Sequence, residues 1–260
     1  MSVALHHELT GPRDAPVLVL SHALGLDSAM WTPLVPVLRR RFRLLLADTR
    51  GHGMSGCEPG PHRIEDLAAD FLALFDRLGI ARASWCGLSL GGMIGMWLAA
   101  HAPRRIDRLA LCCTAPRLPP ARAWRDRAHR VRQAGTTAGI LDQSLDRWFS
   151  AEFRRRDPGF ITQCSAALLS CGADGYAACC EAIADMDLRA DLPLVTAPTM
   201  VVSGVADPVC PVATGTAISD SIPHSSFVVS PGRHLAIVES SEFGAPALLA
   251  HFIGPERQIA

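Results

Sequence analysis

Apolar positions along the 260-residue chain fall into short runs that alternate with longer stretches of helical spacing. Val17 to Leu20 and Phe42 to Ala47 read as buried strands, and between them Met30, Trp31, Leu34, Val37 and Leu38 are spaced for one face of a helix. Ile64 to Leu78 repeats the helical spacing through Leu67, Phe71, Leu74 and Phe75, with Gly79 as its stop. Ala83 to Leu88 predicts another buried strand, Gly91 to Ala100 a helix apolar on every side and ended at Pro103, and Leu109 to Cys113 a further strand. The rhythm then breaks. Arg117 to Leu188 shows no strand pattern, and its arginine-rich text around Trp124, Trp148, Phe149, Phe153 and Tyr176 predicts several helices. Alternation resumes with a strand at Thr199 to Val202, a helix from Val212 to Ile218, a strand at Phe227 to Val229 and a closing helix from Glu242 to Phe252.

Parallel strands need crossover connections and bury both faces, so this alternation implies an α/β protein with a mostly parallel sheet and helices on both sides. The expected organisation is a core formed by residues 1–116 and 189–260, with 117–188 inserted as a helical cap.

Charge narrows the partners. Basic and acidic residues balance at 25 each, which leaves no general polyanion surface, so nucleic acid is not an expected partner. Every one of those basic residues is arginine, which excludes Schiff-base chemistry on a lysine. The nine cysteines are odd in number and lack paired CxxC spacing, as expected of reduced packing thiols rather than a metal site or a disulfide framework. The N-terminus lacks a basic start with a long apolar region, and no run reaches the ~18 apolar residues of a membrane helix, so a cytoplasmic protein with no membrane partner is expected.

The chemistry centres on "CGLSLGG", Cys86 to Gly92, where Ser89 lies between glycines two residues to either side. A serine among glycines is common in turns. Here, however, the pattern separates a predicted buried strand from a predicted buried helix, the setting of a nucleophile elbow at a helix N-terminus. A serine hydroxyl needs a base, and the base an orienting carboxylate. In a parallel sheet such groups sit in loops after strands. Asp207 in "SGVADPVCP" and His234 in "SPGRHLAIVE" satisfy that, and the order Ser89, Asp207, His234 makes them the candidate triad. Separately, Asp207 could cap the following helix and His234 could be an ordinary loop residue. Of the other histidines, His6, His7, His62, His129 and His251 read as surface residues, His52 in "DTRGHG" as a tight-loop stabiliser, and His22 as the one rival base. The oxyanion donors are expected to be the N–H of Leu90 and that of Leu24 in "SHALG", chosen over Ala23.

These residues resemble the α/β-hydrolases, and within them the 3-oxoadipate enol-lactonases. The resemblance spans nearly the whole chain through "LSHALGLDSAMW", "DTRGHGMS", "CGLSLGGMIGMWLA", "HAPRRIDRLALCCTAP", "GVADPVCP" and "GRHLAIVE", and is sharpest in "DTRGHG", "CGLSLGGM" and the cap start "PPARAWRDR". His22 in "SHALG" departs from that family's usual serine, asparagine, serine text. The resemblance implies cofactor-free hydrolysis of a small enol-lactone bearing a carboxymethyl group, through an acyl-enzyme, in aromatic catabolism. A carboxylesterase or perhydrolase of the same fold, acting on other small esters, is the closest alternative; a non-catalytic small-lactone receptor is another. In the predicted cap helix from Ala121 to Ala134, Trp124, Ala128 and Val131 share a face with Arg127 beside it, so Trp124 and Arg127 are candidate substrate contacts for a flat ring and its carboxylate. The competing reading makes Arg122, Arg125, Arg127, Arg130 and Arg132 a solvated helix surface.

Overall fold

The computed structural model describes residues 2–58 and 60–254, so the last six residues of the expected core, 255–260, lie outside the described residues. A seven-stranded sheet organises the chain, with strands introduced in sequence as β1 (His7–Thr10), β2 (Val17–Ser21), β3 (Arg43–Ala47), β4 (Ala83–Leu88), β5 (Ile106–Cys112), β6 (Thr199–Gly204) and β7 (Ser225–Ser230). Their spatial order is β1-β3-β2-β4-β5-β6-β7, with β1 antiparallel to β3 and every other pairing parallel. The central strand β4 is buried at all six positions, which is why its sequence reads as a continuous apolar run rather than an alternating one. β1, which the hydrophobic pattern does not predict, is an edge strand of polar text (HELT) with one neighbour and no fully buried residue.

Helices α1 (Val35–Leu38), α2 (Ile64–Arg77), α3 (Leu90–His101), α9 (Val212–Ser221), α10 (Ala236–Glu239) and α11 (Ser241–Ile253) accompany the sheet. The predicted helix through Met30 and Leu38 is instead a 3-10 turn, Ser28–Trp31, followed by the single turn α1, because Pro33 and Pro36 interrupt the ladder. Met30, Trp31, Leu34 and Leu38 are nonetheless fully buried, so the apolar spacing marks core positions without a continuous helix. The α2 helix follows the predicted face closely, burying Leu67, Phe71, Leu74 and Phe75. α3 is buried nearly all round and packs against β4, β5 and α2.

Between β5 and β6 run five helices, α4 (Ala121–Ala134), α5 (Leu141–Trp148), α6 (Ala151–Arg156), α7 (Pro158–Ser170) and α8 (Ala173–Asp185), and no strand. α4 packs along α8. Phe149, Phe153 and Phe160, from the segment that runs from the end of α5 into α7, form an aromatic cluster with ring centroids 5.3 to 6.2 Å apart. Among the described residues no helix is long and apolar enough to cross a membrane.

Candidate active site

Ser89 occupies the one-residue junction between β4 and α3, with φ 54° and ψ −111°, a strained conformation for a side-chain-bearing residue. Its neighbours explain how the strain is held. A Cβ on Gly87 would stand 2.1 Å from Gly91 O, and a Cβ on Gly91 would stand 2.2 Å from Ser21 O. Strand, turn and helix therefore approach one another as backbone alone. Ser89 N–H donates to Cys112 O at 2.9 Å, Gly91 N–H to His22 O at 3.1 Å, and Thr114 Oγ1 to Ser89 O at 2.8 Å, so the turn is fixed from three sides.

The structure brings the three expected side chains together. His234 Nε2 lies 3.0 Å from Ser89 Oγ, and His234 Nδ1 lies 2.9 Å from Asp207 Oδ2. Because Asp207 Oδ2 can only accept from the ring as a carboxylate, Nδ1 carries the proton and the Nε2 lone pair faces the hydroxyl. Asp207 Oδ1 accepts the N–H groups of Val209 (2.8 Å) and Cys210 (3.1 Å). It thus caps the local turn after β6 rather than α9, while its other oxygen stays free for the imidazole. All three residues are buried, so the hydrogen-bonded chain works in a medium where each link is stronger than in water.

Other histidines depart from or extend the sequence reading. His22 is fully buried; its Nε2 accepts Thr49 N–H at 2.8 Å and its Nδ1 donates to Ala23 O at 2.8 Å. Both nitrogens are spent on backbone and burial lowers its pKa, so it does not serve as the rival base. His52 does hold its loop, donating to Arg50 O, and also accepts Gly25 N–H at 2.9 Å across to the "SHALG" turn. Burial, reinforced by His22, pulls its pKa down to about 3. His62 and His251 are not surface residues: His62 is buried, and half-buried His251 donates from Nε2 to Leu109 O at 3.0 Å, with burial drawing its pKa down to about 4. The partner of His251 lies 142 residues away along the chain, so its local sequence gave no sign of this.

Within "SHALG" the Ala23 N–H points to Met30 Sδ at 3.3 Å and the Gly25 N–H is taken by His52. The intervening Leu24 N–H has no acceptor among the described residues. Leu90 N–H opens α3 and has no carbonyl four residues back within the helix. Both Leu24 and Ser89 line one small chamber of about 40 Å³ together with His234, Trp124, Arg127, Arg147, Tyr176 and Val209. It adjoins an outer cavity of about 350 Å³ that shares Trp124, Arg127, Arg147 and Val209 with it.

The α4 helix spans the predicted residues and separates its arginines. Arg122, Arg125, Arg130 and Arg132 are exposed, whereas Arg127 is only 7% exposed. Its guanidinium donates to Ser144 Oγ at 3.0 Å and stands 5.6 Å over the Tyr176 ring, its Nε is buried without a partner, and among the described residues it pairs with no carboxylate. Arg147 on α5 lines the same two cavities and likewise has no carboxylate partner among the described residues; burial, then the charge of Arg127, lowers its pKa. Sequence reasoning missed Arg147, one arginine among many with no periodic neighbour to single it out. The two guanidiniums line the inner chamber without a carboxylate beside them, an arrangement that can pair with an anion, whereas Asp126 and a third arginine, Arg130, line the outer cavity.

For a metal, Asp207, Cys210 and His234 are the one cluster of suitable donors among the described residues, within 4.8 Å of one another. The donor set fits poorly, because the imidazole and carboxylate are already joined and burial pushes the Cys210 thiol up, away from the thiolate a metal needs. All nine cysteines are free thiols and eight are buried.

Residues 16–241 match the family described as alpha/beta hydrolase fold. The chain is 38% identical over 240 residues to 3-oxoadipate enol-lactonase 2 of Acinetobacter baylyi, covering 92% of this chain and 90% of that one. Among solved structures it is similar to the enol-lactonase from Burkholderia xenovorans LB400 (TM-score 0.94, 37% identity, 97% of each chain) and to a thermophilic esterase from Thermogutta terrifontis with malate bound (TM-score 0.88, 32% identity, 95% of this chain and 92% of that one).

Proposed function

The chain belongs to the α/β-hydrolase family, and from that premise we propose that it opens a small enol-lactone bearing a carboxylate, 3-oxoadipate enol-lactone, to 3-oxoadipate. The observation that carries this reading is the buried, acid-free guanidinium of Arg127 in the same chamber as Ser89. A charged group in that position is costly unless a ligand supplies the counter-charge, and a hydrogen bond between ionised partners is stronger than a neutral one. The A. baylyi and B. xenovorans relatives are enol-lactonases, and malate, bound in the related esterase, is itself a carboxylate.

In this mechanism residues 117–188 act as a cap over the core and its Trp124 and Arg127 hold the substrate, the ring against the indole and the carboxylate on the guanidinium. His234 takes the Ser89 proton as Oγ attacks the lactone carbonyl, and Leu24 and Leu90 N–H hold the oxyanion. Asp207 keeps the imidazole in the required tautomer and offsets its charge. The ring oxygen leaves as an enolate and takes the proton from His234, which returns the imidazole to its neutral form, and the resulting enol tautomerises to the ketone, making the opening hard to reverse. Water activated by His234 then releases the acyl-enzyme. No cofactor takes part in these steps.

Replacing Arg127 with alanine tests the substrate assignment. KM for a carboxylated lactone should rise about 10- to 100-fold, the loss expected for one charge-assisted hydrogen bond, with p-nitrophenyl acetate turnover changed less than threefold. Equal effects on both substrates exclude the carboxylate role and favour an esterase acting on neutral substrates.

A further inference from the structure

Resting on the reading of His234 as the base, we propose that Glu239 is a positioning residue that ties the base loop to the cap, so that His234 is held in line with Ser89 only while the cap segment 147–150 is docked. Glu239 lies five residues beyond His234 on α10 and is 5% exposed, yet among the described residues its carboxylate pairs with no cation. Neutral donors hold it instead. Oε1 accepts the Ser150 N–H (3.2 Å) and the Ser150 hydroxyl, and Oε2 accepts the Arg233 N–H (3.0 Å), the residue immediately before His234. One carboxylate thus bridges the cap and the base loop.

Three further bonds run beside it. His234 N–H donates to Arg147 O at 3.3 Å and Leu235 N–H to Trp148 O at 3.1 Å, while Arg156 of α6 donates to Glu239 O at 2.8 Å. The carbonyls of Arg147 and Trp148 therefore hold the base loop, while both residues also line the chamber of Ser89. If the carboxylate served only to dock the cap, a neutral acceptor would do so without the cost of a buried, unpaired charge. A carboxylate offers acceptors on two oxygens, which is what a bridge between two N–H donors on separate segments requires. An amide at this position would present one donor to a donor.

The test compares Glu239→Gln and Glu239→Ala with wild type and with Ser89→Ala, all assayed on p-nitrophenyl acetate, a neutral ester that does not need the cap arginines. Measurements run at least 20 °C below the melting temperature of each variant. We expect Glu239→Gln to stay folded and to lose about 10- to 100-fold in kcat with KM changed less than threefold. Its Ser89 should react with diisopropyl fluorophosphate more slowly by a similar factor, because both reactions need an aligned base. Glu239→Ala should lose at least as much where it folds. A Glu239→Gln protein with kcat and labelling rate within twofold of wild type, beside an inactive Ser89→Ala, overturns the positioning role and leaves Glu239 a cap anchor; a lowered melting temperature with unchanged kcat does the same. If Ser89→Ala itself retains turnover, the serine mechanism falls and the role of Glu239 falls with it.

Discussion

Around Ser89 the restraints are backbone: a strained φ, two glycines whose Cβ atoms would strike carbonyl oxygens, and N–H groups fixed by neighbouring strands. Around Arg127 the restraint is a charge left without an acid, on a helix whose other arginines face solvent. The first region sets what bond can be broken and depends on geometry that many acyl-transferring enzymes need. On the function proposed above, the second sets whose bond is broken and depends on a few side chains that can change without disturbing the sheet. Each region therefore has its own kind of failure. Damage to the elbow should cost the reaction or the fold whatever the substrate, whereas damage to the cap arginines should cost one substrate and spare another.

The largest expected effect is that of Ser89→Ala, which should lower kcat for every substrate by at least ~10⁴-fold with the fold intact by circular dichroism. Residual turnover within 100-fold of wild type would contradict the covalent route. Next comes Gly87→Ala, which has no room to relax because the atoms it meets are backbone; we expect a loss of about 3 kcal/mol or more in a urea titration, or no folded protein. A similar loss, about 3 kcal/mol, is expected for Asp70→Ala, which strips the paired carboxylate from buried Arg50 (Nε–Oδ2 2.5 Å, Nη2–Oδ1 2.6 Å) and the acceptor from Val3 N–H. Unlike the elbow variants, a folded Asp70→Ala protein should keep kcat, since that pair ties the "DTRGHG" loop to α2 and neither residue lines the chamber.

A further effect is graded with pH. His52 and His251 are held neutral by burial, with pKa values near 3 and 4 against about 6.5 in the unfolded chain. Between these limits the unfolded state binds more protons than the folded one, so stability should fall as pH drops below about 6.5 and stop falling near 3. The slope should be on the order of 1 kcal/mol per pH unit for each such ring. A urea midpoint that does not move between pH 7 and 4.5 would show that these rings are not buried as described.

Much of the core was legible in the sequence because its signals are local. A parallel strand buried on both faces must read as an apolar run, as Ala83 to Leu88 does, and an elbow without room for side chains must read as glycines around a serine. Asp207 and His234 could be picked out because strand ends are where side chains of a parallel sheet converge. The edge strand β1 was not legible, since a strand with one neighbour and no buried face needs no hydrophobic pattern. Nor were the helix breaks at Pro33 and Pro36, where core burial persists without helical continuity. Between β5 and β6, amphipathic spacing located α4 and placed Arg127 beside Trp124. The same spacing could not single out Arg147 or Glu239, whose contacts join residues 147–150 to 233–239, segments about 90 residues apart along the chain.

The division between elbow and cap is tested most directly by the ratio of kcat/KM for 3-oxoadipate enol-lactone to that for p-nitrophenyl acetate, measured on wild type and on Arg127→Ala. We expect wild type to favour the lactone by several orders of magnitude and Arg127→Ala to cut that preference about 10- to 100-fold through the lactone alone. A wild-type ratio near one, unchanged by the substitution, would contradict it.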